Sequence, residues 1–209
     1  MERTQSVAVE AGRQALSPAP AHTMGHPPGA ARRIADLPNG AFAGRLESGE
    51  LFLQHGPINL IVGVEGVPGA VRDAESALMN VFPRWLGELV TELPRLRQAQ
   101  APGLQRPTGP IARRMVEAVR PFDAVFITPM AAVAGAVADA AVNVLSDQSG
   151  LRRAWVNNGG DIAMFLTPRQ SFRAGVVSTH NGADCDGWIE VPYEWPVRGI
   201  ATSGWRGRS

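Results

Sequence analysis

The chain has 209 residues with 20 basic and 19 acidic side chains, enough for one sizeable core and too nearly neutral for a global field that would draw it to nucleic acid or an anionic membrane. Every basic residue is Arg, which excludes Schiff-base chemistry, a phosphate-loop lysine and a lysine general base. Cys185 is the single cysteine, so no intrachain disulfide or thiolate metal cluster can form, and a reducing, cytoplasmic setting is expected.

Residues 1–37 are rich in Ala, Pro, Gly and Ser, with Pro18, Pro20, Pro27 and Pro28 interrupting any helical pattern. They read as a disordered extension ahead of a domain spanning 38–209. Glu2 and Glu10 and the lack of an apolar run before Arg13 argue against a secretory signal, and no run is expected to reach the ~20 apolar residues that span a bilayer. His22 and His26 have ligand-like spacing, but an unheld pair would first have to be ordered at entropic cost.

Phe42–Leu46 and Leu51–His55 around Glu47-Ser48-Gly49-Glu50 predict a β-hairpin, and Asn59–Val64 a buried strand. Ala74, Ala77, Leu78, Val81, Phe82, Trp85, Leu86, Leu89 and Val90 recur at three- and four-residue spacing, predicting an amphipathic helix over 71–93 with a kink at Pro83. Thr108-Gly109-Pro110 starts a second helix carrying Ile111, Met115, Val116 and Val119. A strand is expected at 123–127 and a smooth helix of small residues at 131–145. Apolar runs at 154–156, 162–166, 172–177 and 197–201 complete a largely antiparallel sheet packed with helices, an α+β architecture.

Asn157-Asn158-Gly159-Gly160-Asp161 joins two of these runs through residues that tolerate positive φ. Its plainest reading is a hairpin turn. The functional alternative is that backbone N–H groups approach a phosphate or flavin ring while the Asn and Asp side chains add directional hydrogen bonds. Asp139 and Asp161 are the best-placed carboxylates for a ligand or metal, with a helix-end charge and a turn cap as their structural roles. Ser203 with His180 or His55 has the residue types of a nucleophile and base, but nothing in the sequence fixes their geometry. His180, Asp184, Cys185 and Asp186 form a polar cluster with metal-ligating atoms on what reads as an exposed loop. Arg113-Arg114 and Arg152-Arg153 read as solvated flanks, one of which could meet a pyrophosphate.

The segments Thr128–Asp139, Asn157–Ile162 and Gly199–Gly204, taken in order, resemble the motif series of the ApbE superfamily, whose members transfer FMN from FAD to a protein Ser or Thr with a magnesium ion. Leu53–Pro57, Phe126–Met130 and Gly204–Ser209 look like an uncharacterised ApbE-like branch, so that the resemblance covers roughly 40–209. It implies a T-fold-related architecture and a cleft for FAD or FMN bordered by Asn157, Asn158, Gly159, Gly160, Asp161, Thr202, Ser203 and Gly204. It further implies Mg²⁺ touching the Ala131 backbone, and an acceptor protein as partner. Two departures bear on activity. Ala134 stands where the transferases carry a Lys, removing a cation that would stabilise phosphate charge. The helix that supplies the magnesium-binding Asp and Thr would follow Thr202-Ser203-Gly204, whereas the sequence ends at Ser209, so a C-terminally incomplete domain is expected. The competing readings are an enzyme or assembly factor of sulfur metabolism, since some ApbE-like members are associated with homocysteine formation, and a non-catalytic subunit or homo-oligomer that pairs an open sheet edge with another chain.

Overall fold

The computed structural model describes residues 22–23, 31–176 and 187–201. In chain order its strands are β1 (His22–Thr23), β2 (Arg32–Asp36), β3 (Phe42–Arg45), β4 (Leu51–His55) and β5 (Ile58–Gly66). Helices α1 (Pro68–Thr91), α2 (Leu93–Leu96), α3 (Pro110–Val119) and α4 (Val133–Ser146) follow, and then strands β6 (Leu151–Asn158), β7 (Asp161–Leu166), β8 (Ser171–Val176), β9 (Gly187–Pro192) and β10 (Gly199–Ile200). Seven strands form one antiparallel sheet in the order β10-β7-β6-β5-β4-β3-β2, which bears out the α+β class.

Alternation along the central strands divides the residues between two faces. Leu60 and Val62 on β5 and Ala154, Val156 and Asn158 on β6 turn toward the helices, where α1 and α4 close the main core with Leu78, Phe82, Val137 and Leu145. The small side chains of Ala138 and Ala141, both fully buried, let α4 lie close on β6 and β7. Trp155, Ile162, Met164 and Leu166 occupy the opposite face and are covered by Phe172, Ala174 and Val191 of β8 and β9. Each fully buried Leu or Phe contributes about 1.5–3 kcal/mol, so both layers hold the sheet in register. Gly63 is the close-approach position on the second face: a Cβ there would lie 2.0–2.5 Å from the Trp155 indole.

Four expectations change. Arg32–Asp36 pairs with β3 and His22–Thr23 runs parallel to β8, so sheet structure begins within the stretch that composition assigned to the extension; residues 31–37 contain no proline and can extend. The segment 123–127 is not a strand: Val125 and Phe126 are exposed, and the Ile127 carbonyl accepts the N–H of Gln100, from a loop, at 2.8 Å. The run that begins at Phe172 belongs not to the main sheet but to a second, three-stranded sheet, β1-β8-β9. Finally, Pro129–Ser146 is long and apolar enough by composition to cross a membrane, contrary to the expected lack of such a run; in the fold it comprises a 3₁₀ turn over Pro129–Ala132 and then α4, which packs against β6 and β7. Helix α1 continues through Pro83, whose carbonyl accepts the Asn39 Nδ2–H at 3.0 Å.

Candidate functional site: a cleft at the hairpin end of the sheet

The hairpins β4–β5 and β6–β7 turn at the same end of the sheet, because Leu60 lies opposite Asn158 and Asn158 opposite Asp161. Gly159 and Gly160 have φ of 66° and 108°, the double positive φ that a two-residue hairpin of the primed class requires, so the turn reading holds. The turn is also pinned to its surroundings. The Asn157 Oδ1 accepts the Gly160 N–H at 2.8 Å, and the buried Asn158 donates its Nδ2–H to the Ala134 carbonyl at 3.1 Å. The Asp161 carboxyl accepts the backbone N–H of Gly135, capping the first turn of α4 from a distant strand. Burial holds this carboxyl above its ordinary value, and the Gly135 bond offsets part of that rise.

Beside this turn lies a cleft of about 720 Å³, within the range of small-molecule and cofactor sites. Ile58 and Asn158 belong to its sheet side, Leu86, Leu89 and Val90 of α1 form one wall, and Met130, Val133 and Ala134 at the start of α4 form another. Asn59, Asn157 and Gly159 add polar contacts, and Arg97 is the one charged residue among those lining it. The cleft is thus an apolar slot with a few polar groups in its lining, suited to a flat, largely apolar body carrying hydrogen-bonding edges or an anionic tail.

Of the residues singled out from sequence, Asn157, Asn158 and Gly159 line the cleft, and Gly160 and Asp161 hold the turn that presents them. Ala131 is exposed in the 3₁₀ turn, its N–H bonded to the Thr128 carbonyl at 3.0 Å. Asp139 is not part of the cleft lining; it pairs with Arg114 Nε at 2.6 Å, joining α4 to α3. His55 is buried against Phe82, with ring centroids 6.2 Å apart, which is a core position. Arg153 is no solvated flank: alternation turns it onto the second face, where it pairs with Glu65 and donates to the Ser171 carbonyl at 2.8 Å. Thr202, Ser203 and Gly204, together with His26, His180, Asp184, Cys185 and Asp186, lie outside the described residues.

Sequence reasoning missed Arg97, Asn59 and the α1 wall. The available signal was the breadth of the apolar stripe in α1: it extends to Val90, which is 55% exposed and so faces more than the sheet can cover. Among the described residues no group of three or more His, Cys, Asp or Glu is placed to hold a metal. The Ala131 carbonyl alone does not meet the near-octahedral oxygen shell that Mg²⁺ demands, and the described residues therefore do not fit that ion.

The family model described as AbpE bacteria matches residues 43–209, from β3 through the sheet, the cleft and the remaining chain. The chain belongs to this family. The AbpE bacteria match contains both hairpins and every element that walls the cleft. No curated protein matches the chain.

Proposed function

We propose that this AbpE bacteria member binds a flavin nucleotide in the cleft and is a relative of the FAD:protein FMN transferases of the ApbE superfamily. The observation that carries the reading is the juxtaposition of Asn157, Asn158 and Gly159 with a 720 Å³ apolar slot. An isoalloxazine ring has one apolar benzenoid edge and one edge of carbonyl and N–H groups. Leu86, Leu89 and Val133 suit the first, and the amides of Asn157 and Asn59 suit the second. Arg97 offers a bidentate guanidinium to the phosphate at the cleft, a role that Ala134 cannot fill. The motif order described above supports the same ligand class.

Binding, and not group transfer, is the function proposed for the residues described, because they supply no ligand set for Mg²⁺. Titration of the full chain into FAD and into FMN, followed by flavin fluorescence and calorimetry, should show saturable binding to one site. Val90→Trp, which fills the slot from an exposed wall position, should abolish it, and Arg97→Ala should weaken it about tenfold through loss of one charge-assisted contact. An unaltered flavin signal at millimolar protein would overturn the reading.

A further inference from the structure

A second cavity, of about 280 Å³, lies between α2, the segment 100–107 and α3. Four arginines line it: Arg95 from α2, Arg106 from the segment, and Arg113 and Arg120 from α3 and the turn after it. Arg113, Glu117 and Arg120 recur at helical spacing and so share one side of α3. Only Glu117 and Asp123 oppose them among the lining residues, leaving two positive charges in excess. The ion pairs of the described residues join other partners, Arg45 to Glu75, Arg114 to Asp139 and Arg153 to Glu65 among them, and none involves these four arginines.

Arg95 is the fixed member. Its Nε–H donates to the Gln105 carbonyl at 3.0 Å and its Nη2–H to Gln100 Oε1 at 3.1 Å, while Nη1 is buried without a hydrogen-bond partner. Both acceptors are neutral and no ion pair of the described residues includes Arg95, so its half-buried guanidinium has no carboxylate in contact, an arrangement that is costly unless an anion completes it. Gln100 is itself anchored through its N–H to the Ile127 carbonyl, and the far end of the segment is held where the Thr108 and Gly109 N–H groups donate to the Glu92 carboxylate at 3.0 and 2.6 Å. The cavity is therefore held at both ends of the segment that covers it.

We propose that this cavity binds the phosphoryl group of a small phosphorylated molecule. A dianionic group matches the excess of two charges, and its three terminal oxygens can accept from several guanidinium forks at once, which a single carboxylate cannot do as fully. Leu104 and Val116 supply apolar lining for the organic part of such a ligand. The site is separate from the flavin cleft in its charged residues: Arg97 lines the cleft and the four arginines here do not.

The test is calorimetric titration of the full chain with inorganic phosphate at low ionic strength, where such contacts are least screened. Saturable binding is expected. Arg113→Gln, an exposed change that leaves the fold alone, should weaken it about tenfold, the loss of one charged hydrogen bond. Glu117→Gln should strengthen it severalfold by removing an opposing charge, whereas Arg114→Gln, whose guanidinium is engaged with Asp139, should leave it unchanged. No saturable phosphate binding, an unaltered affinity in Arg113→Gln or Glu117→Gln, or an equal loss in Arg114→Gln would each overturn the proposal. So would competition between FAD and phosphate, which would assign the phosphate to the cleft. Failure of the chain to bind FAD removes only the competition arm and leaves the phosphate titration and its three variants readable.

Discussion

Asp161 caps Gly135: a carboxyl at the start of β7 accepts the N–H of the third residue of α4, across a gap of 26 positions in the chain. Its ionisation is penalised by burial, so its folded value lies above 3.8, and the folded chain holds this proton to higher pH than the unfolded chain does. The contribution of the raised value to stability is therefore fully present below 3.8 and is lost as pH rises through the folded value. In denaturant titrations carried upward from pH 3.8, wild type should lose stability that Asp161→Asn retains, the Asn carbonyl still accepting the Gly135 N–H. Parallel pH profiles for the two proteins would refute this assignment.

Gly63 should not tolerate even one methyl group. The Cβ of Gly63→Ala would lie 2.0–2.5 Å from three atoms of the Trp155 ring, which is itself held against Phe172 at a centroid distance of 5.9 Å. Either the indole or the strand must shift, at a cost of about 1–3 kcal/mol. Thermal unfolding should report the loss, and near-ultraviolet circular dichroism should report a displaced tryptophan. An unchanged melting temperature would mean that the covering layer yields freely.

Glu92, between α1 and α2, collects the N–H groups of Thr108 and Gly109 just before α3. Glu92→Gln keeps the size and an acceptor but removes the charge that favours a helix N-terminus, and should cost about 1 kcal/mol. Glu92→Ala should cost more and should raise hydrogen exchange at Thr108 and Gly109. Equal stability of the two variants would show that charge and acceptor are both dispensable there.

The elements legible in the sequence were those whose cause is local. Phe42–His55 alternates around a short polar turn, and the hairpin at Asn158–Asp161 follows from two adjacent glycines, so neighbouring residues suffice to specify each. The cleft was only half legible. Its Asn-Asn-Gly part is a contiguous motif, but its walls come from residues 86–97 and 130–137, which meet only after α1 and α4 have docked on the sheet. Periodicity identified Leu86 and Val90 as apolar without saying that part of their surface would be left uncovered. The segment 123–127 misled for a related reason: its composition suits a strand, but among the described residues no strand pairs with it. Arg153 misled because its neighbour Arg152 is exposed, and period-two alternation puts the two on opposite faces.

The position of Asn158 between Leu60 and Asp161 has a consequence for cooperativity. The turn is the end of two central strands, not an appended loop, and the side chains of Asn158 and Asp161 are engaged with α4. Fluctuations that open the cleft must break sheet pairing and the helix anchor together, so the amides of Asn158 and Gly160 should exchange with deuterium at rates governed by global unfolding. One inserted residue in β6 would carry Asn158 to the opposite face, so this strand should accept substitutions far more readily than changes of length.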